Sequence, residues 1–151
     1  FAPTVNTRGC IYTYSDGIVL RSTYHVFDLY VNLLGGTVVD SWCEDAPQMT
    51  VKSKAGALED IQVLDALATV KDGSVVLSLV NKDPEKALKL DVDLGAAPKE
   101  YRLHTLTGKA IDSYNDIDQN EIFPDHSRWA PFDGALTLPP HSVTIAEYRF
   151  Q

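Results

Sequence analysis

Cysteine, methionine, long apolar runs and blocks of positive charge are all scarce in this chain. Its 151 residues include one Met and two Cys, Cys10 and Cys43. A single pair is far from a disulfide framework, and two readings stand, one bridge or two buried free thiols. No apolar run reaches the roughly 18 residues of a membrane helix, and no charged-then-apolar leader opens the chain. The thirteen basic residues are scattered among 21 acidic ones, for a net charge of -8 and a pI near 4.8. That balance argues against nucleic acid and against an anionic membrane surface as partners, because both need clustered Lys and Arg to neutralise phosphates. The first residue is Phe1 rather than Met, so a piece of a longer protein is expected.

Constellations that carry chemistry are equally sparse. Neither G-x-S-x-G nor a Cys with an identifiable His partner is present, so no nucleophile is assigned. His25, His104, His126 and His141 show no metal-ligand spacing such as H-x-x-x-H, and are expected as structural or surface histidines, His25 in a helix, His104 in a strand and the other two in loops. The acidic cluster Asp112, Asp116, Asp118, Asn120 and Glu121 invites a calcium reading beside that of a solvated polar loop. It fails the EF-hand template, since Glu121 stands where the sharp turn needs Gly and Ser127 where the bidentate Glu belongs. Glycoside hydrolysis by the usual route needs two carboxyl groups converging on one bond. With 21 acidic residues, proximity along the sequence singles out no such pair. No catalytic residue, metal ligand or cofactor is therefore assigned.

What the chain does have is alternation. KALKLDVDL sets Leu88, Leu90, Val92 and Leu94 against Lys89, Asp91 and Asp93, the pattern of a half-buried antiparallel strand whose wet face carries the two aspartates. IQVLDALATV and SVVLSLVN read as strands joined by Lys71-Asp72-Gly73, with Asp-Gly where a tight hairpin wants positive φ. EYRLHTLTG and ALTLPPHSVTIAEYRF repeat the pattern, and CIYTY is a candidate short strand. Short strands separated by Gly, Pro and Asp turns predict a two-sheet sandwich.

Two stretches break that rhythm. From Gly17 to Gly36 the period is helical: Val26, Phe27, Tyr30, Leu33 and Leu34 share one face, Ser22 can cap the start and Gly35-Gly36 can end it. From Asp112 to Pro131 neither period holds, and so long a connection in a compact domain is usually functional or interface-forming. Tyr114, Phe123, Trp129 and Phe132 give it aromatic faces that could stack on sugar rings or pin the loop to its own sandwich.

APTVNTRG, GIVLRSTYHVFDLYVN, LDALATVKDGSVVLSLVNKDP and LTLPPHSVTIAEY span nearly the whole chain, and in them it resembles the C-terminal portion of glycoside hydrolase family 51, the α-L-arabinofuranosidases. The resemblance implies an all-β fold, a jelly-roll-like antiparallel β-sandwich over residues 37–151. Before it, residues 1–36 would be the last strand and helix left over from a (β/α)8 catalytic barrel. Both catalytic glutamates of the family would then lie earlier than anything in this chain, leaving a non-catalytic accessory domain that packs on the barrel. The partners implied are the missing barrel, an arabinose-containing polysaccharide for the parent enzyme, and, through the orphaned helix, a second copy in a homodimer. At the turn before the helix, where relatives can offer a polar side chain to arabinose, stands Arg21; some relatives carry Gln there, so this chain departs from their pattern, and a surface Arg is the alternative. Trp129 is the candidate for sugar stacking if the sandwich is a free-standing carbohydrate-binding module instead.

Overall fold

A computed structural model describes residues 3–151; Phe1 and Ala2, where the expected barrel remnant and the APTVNTRG stretch begin, lie outside the described residues. The chain opens with a hairpin in which β1 (Ile11–Tyr14) pairs antiparallel with β2 (Gly17–Leu20), Ile11 opposite Leu20. The helical stretch expected from Gly17 therefore starts late, because the consecutive apolar residues Ile18, Val19 and Leu20 are taken by the hairpin. Helix α1 runs over Ser22–Leu33, and Ser22 is its first residue, not its cap. Arg21 holds the cap position in extended conformation, with no side chain capping the helix, because its own N–H is bonded to Cys10 O at 2.9 Å in continuation of the hairpin.

The buried face of α1 differs from the expected one by a small rotation. His25 and Leu29 are buried and Val26, Tyr30 and Leu33 half-buried, whereas Phe27 is 47% exposed. At 3.6 residues per turn, Phe27 lies on the side opposite His25, so a stripe centred on residues 25 and 29 turns it outward. At the helix exit Gly36 sits at φ 89°, and a Cβ there would meet Val70 O at 2.2 Å. Only glycine allows the chain to pass this close into β3 (Thr37–Val39).

Next come a hairpin of β4 (Gln48–Lys52) and β5 (Leu58–Gln62), then β6 (Leu64–Lys71) and β7 (Ser74–Asn81). The run IQVLDALATV, expected as one strand, is broken at Val63. Its N–H donates to Pro47 O and its carbonyl accepts from Lys82 N–H, both at 2.8 Å, so the backbone changes partners there. Across the β6–β7 turn Asp72 and Gly73 take φ 51° and 75°, as the expected hairpin requires.

The remaining strands are β8 (Leu88–Asp91), β9 (Glu100–Leu106), the two-residue β10 (Asp125–His126), β11 (Ala135–Leu138) and β12 (Ser142–Arg149). A six-stranded antiparallel sheet has the order β10-β9-β12-β7-β6-β3, and β8 pairs with β11 in a second, two-stranded sheet. The result is the expected antiparallel β-sandwich, with one helix among the described residues.

Alternation sends the two faces of the large sheet to two cores. Leu79, Ala146 and Tyr148 face the smaller sheet and pack with Leu136 and Leu138, joined by half-buried Leu88, Leu90 and Phe132. Val76, Leu106 and Ile145 face the other way and pack with Leu29 of α1 and with Ile122, beside half-buried Val26, Tyr30 and Leu33. Each large apolar side chain so buried stabilises the fold by roughly 1.5–3 kcal/mol. The helix is thus covered by its own sandwich, while Ile18 and Val31 remain exposed. Of the two readings of the cysteines, free thiols hold and a bridge does not; burial holds for Cys10 and is corrected for Cys43, which lies in an irregular exposed segment between β3 and β4.

Candidate functional site

A cleft of about 370 Å³ opens where β2 hands over to α1. Arg8, Arg21, Thr23, Tyr114 and Asp116 are among its lining residues. Arg21 is held from below: its Nη1 donates to Thr7 O at 3.0 Å and to Gly9 O at 2.9 Å, and its guanidinium lies 5.4 Å from the centre of the Tyr12 ring. The side chain is therefore folded back over the loop before β1, fixed by two carbonyl acceptors that match its fork of donors.

Asn115 closes the other wall, and the sequence alone gave no sign of it. Its Nδ2 donates to Leu20 O at 2.9 Å and Ile122 O at 2.8 Å, while its Oδ1 accepts from Glu121 N–H at 3.0 Å and Ile122 N–H at 2.8 Å. All four hydrogen-bonding positions of the amide are filled, on a residue 3% exposed. Through Asn115 the long aperiodic connection is tied to the end of β2, beside Arg21. Within that connection Asp116 Oδ1 accepts from Ile117 N–H at 2.8 Å, and Glu121 pairs with Lys109 at 3.4 Å. Among the described residues no three His, Cys, Asp or Glu side chains are placed to hold a metal ion.

Trp129 lies elsewhere, on the β9–β12 side of the large sheet. It is half-buried, with the Arg149 guanidinium 3.8 Å and the Arg102 guanidinium 4.7 Å from its ring centre. The indole thus works as a cation–π platform for two arginines, an arrangement worth about 0.5–1 kcal/mol at an exposed site. Tyr101 and Phe132 are in edge contact at 5.1 Å, and Phe132 meets Tyr148 at 5.1 Å, so Phe132 pins the connection to the core.

Next to the arginines lies a polar chain. Arg102 Nε donates to Glu147 Oε2, and the same oxygen is 2.7 Å from His104 Nε2. The other nitrogen of that ring, Nδ1, is 2.6 Å from His126 Nδ1 on the edge strand β10. His126, expected in a loop, is paired in register with His104. Burial lowers the pKa of His104, against the opposing pull of the Glu147 hydrogen bond and charge. For Glu147 burial works upward, but the hydrogen bonds and charges of Arg102 and His104 outweigh it and lower its pKa. His25 is likewise lowered by burial, opposed by Asp28; its ring lies 5.3 Å from Phe123 and its Nε2 has no hydrogen-bond partner among the described residues. His141 is structural: Nδ1 is 2.9 Å from Pro84 O and Nε2 3.1 Å from Gly108 O, which staples two turns together.

Geometry thus separates Arg21, at the cleft, from Trp129, at the sheet edge. A model of the alpha-L-arabinofuranosidase C-terminal domain matches residues 1–142. Among curated proteins the chain is similar to a probable alpha-L-arabinofuranosidase C of Aspergillus clavatus, with 27% identity over 151 residues, covering 98% of this chain and 29% of that protein. Among solved structures it is similar to the alpha-L-arabinofuranosidase of Thermotoga maritima in complex with arabinose, with 26% identity and a TM-score of 0.80, covering 97% of this chain and 32% of that one. The thermostable family 51 alpha-L-arabinofuranosidase of Thermotoga petrophila matches with 25% identity and a TM-score of 0.79, over 97% of this chain and 32% of that one. The chain spans less than a third of the length of each of these relatives. It belongs to the alpha-L-arabinofuranosidase C-terminal domain family.

Proposed function

We propose that this chain is the non-catalytic accessory portion of a retaining α-L-arabinofuranosidase that removes terminal arabinofuranosyl residues from plant polysaccharides. The observation that carries the reading is its near-complete alignment with under a third of full-length arabinofuranosidases. On this reading residues 1–36 complete a catalytic barrel supplied by preceding sequence, and residues 37–151 form the sandwich that packs on that barrel and stabilises it. The exposed apolar residues Ile18, Phe27 and Val31 on β2 and α1 are the surface the barrel would cover. In the isolated chain a second copy would cover it, giving a homodimer.

Arg21 is the residue this portion would lend to the active site, since it lines the cleft at the start of α1. The test compares the chain alone with a longer protein carrying the preceding sequence, on an aryl α-L-arabinofuranoside. The chain alone should show no turnover at any pH and the longer protein should be active, with Arg21→Ala raising KM or lowering kcat without loss of folding. Turnover by the chain alone would sink the reading.

A free-standing carbohydrate-binding module is the alternative, with Trp129 as its stacking face. The Arg149 and Arg102 guanidiniums already stack on the indole, which supports a structural part for Trp129 and favours the accessory role. Calorimetry with arabino-oligosaccharides separates the two: binding lost in Trp129→Ala would favour the module.

A further inference from the structure

The polar chain Arg102–Glu147–His104–His126 is not used by the proposed accessory role, yet its hydrogen count is tightly constrained. Glu147, ionised, can only accept, so His104 Nε2 must carry the hydrogen that bridges them. Neutral His104 then presents a bare Nδ1 lone pair to β10. The 2.6 Å approach of His126 Nδ1 is a hydrogen bond only if His126 supplies its own Nδ1 hydrogen, which leaves its Nε2 free at the exposed edge. A proton added at His126 Nε2 leaves this contact intact. A second, at His104 Nδ1, sets one N–H against another at 2.6 Å and breaks it.

We propose that the His104–His126 contact is a proton-counted latch on the β10 segment, closed while the pair carries at most one extra proton and open when it carries two. The rest of the segment hangs on one sheet edge. Asp125 and His126 are its strand residues; beyond them Ser127 N–H donates to Leu103 O and Ser127 Oγ accepts from Leu103 N–H, both at 2.8 Å, Trp129 stacks with Arg102 and Arg149, and Ala130 exchanges backbone hydrogen bonds with Tyr101. The groups facing His104 are Arg102 on its own strand, Glu147 on β12 and His126 on β10. Helix α1, packed on the same face, turns His25 toward Phe123, and Asp28 is engaged by Asn32 Nδ2 at 2.8 Å. The burial of His104, and after it the charge of Arg102, outweigh the pull of Glu147 and oppose the second proton, so opening belongs to acid conditions, below the ordinary histidine range. What the latch would free is the end of the aperiodic connection that carries Trp129.

Imidazole nitrogen chemical shifts of the ¹⁵N-labelled 151-residue chain, followed from neutral to acid pH, should show the second proton of the pair arriving at His104 Nδ1, below the ordinary histidine range. Amide exchange at residues 125–130, corrected for intrinsic rates, should rise several-fold with that second step, while the centres of β7 and β12 stay protected. In His126→Gln the amide can donate to neutral His104 or turn to accept from its protonated form, so the acid opening should vanish. Uptake of the second proton with no rise in exchange at residues 125–130, or acid opening that persists in His126→Gln, would overturn the proposal.

Discussion

Ser78 Oγ donates a hydrogen bond to Tyr30 Oη at 2.7 Å, joining the middle of the large sheet to the helix across 48 residues of chain. Ser78 is buried, so its hydroxyl has no water to fall back on. Tyr30→Phe should therefore destabilise the chain by about 1–3 kcal/mol, the cost of a stranded buried hydroxyl. Adding Ser78→Ala should recover part of that loss. Urea unfolding of the single and double variants measures it, and strict additivity would show that the two groups do not interact.

Asn115 offers a second measurement, this time of the long connection. Asn115→Ala leaves two carbonyls and two N–H groups of the Leu20 and Glu121–Ile122 backbone without partners, and roughly 2–3 kcal/mol should be lost even if water replaces some of them. Asn115→Asp should be worse, because a carboxylate would face the Leu20 and Ile122 carbonyls that now accept from Nδ2. Thermal melts equal to those of the parent chain would show that the connection is not anchored here.

In the β6–β7 hairpin, both central turn residues are left-handed, Asp72 at φ 51° and Gly73 at φ 75°. Gly73→Val should cost about 1–2 kcal/mol from left-handed strain alone, since nothing lies within 4 Å of the place its Cβ would take. Asp72→Asn should be neutral or slightly stabilising. A melting temperature unchanged in Gly73→Val would mean the turn adopts another conformation.

Acid should destabilise the chain through His25 and His104. Both have folded-state pKa values held below the unfolded value of 6.5, so their contribution is fully present above about pH 6.5 and is lost as pH falls toward the folded values. Stability should thus decline as pH falls below about 6.5, and His25→Leu should flatten that slope while leaving the share due to His104. A stability profile with the same slope in parent and variant would contradict the burial of a neutral His25.

How much of this is readable without coordinates depends on the range of the forces involved. The β8 strand is written in its own alternation of Leu88 and Leu90 with Lys89 and Asp91, and the Asp72-Gly73 turn in its φ preference, both local. The strand identity of Ile18, Val19 and Leu20 is not local, because three consecutive apolar residues suit a helix or a strand until a pairing partner in Ile11–Tyr14 decides. His104 and His126 meet only because β10 pairs with β9 in one register, and no spacing rule reaches across that gap. Asn115 is of the same kind: an isolated Asn in a polar loop carries no mark of the four backbone groups that will converge on it.

The position of β12 sets the order in which the molecule can be made. It lies between β7 and β9, yet it follows both in the chain, with Ser142 opposite Asn81 and Arg149 opposite Glu100. During synthesis the β6–β7 hairpin can form early, but β9 and β10 have no sheet to join until the residues of β12 have left the ribosome. At about 5–20 residues per second, the exposed edge of β7 waits several seconds for its neighbour. Contacts so distant in sequence also slow closure. The large sheet is therefore completed from its centre last, and until then the nascent chain carries an open hydrophobic edge on β7.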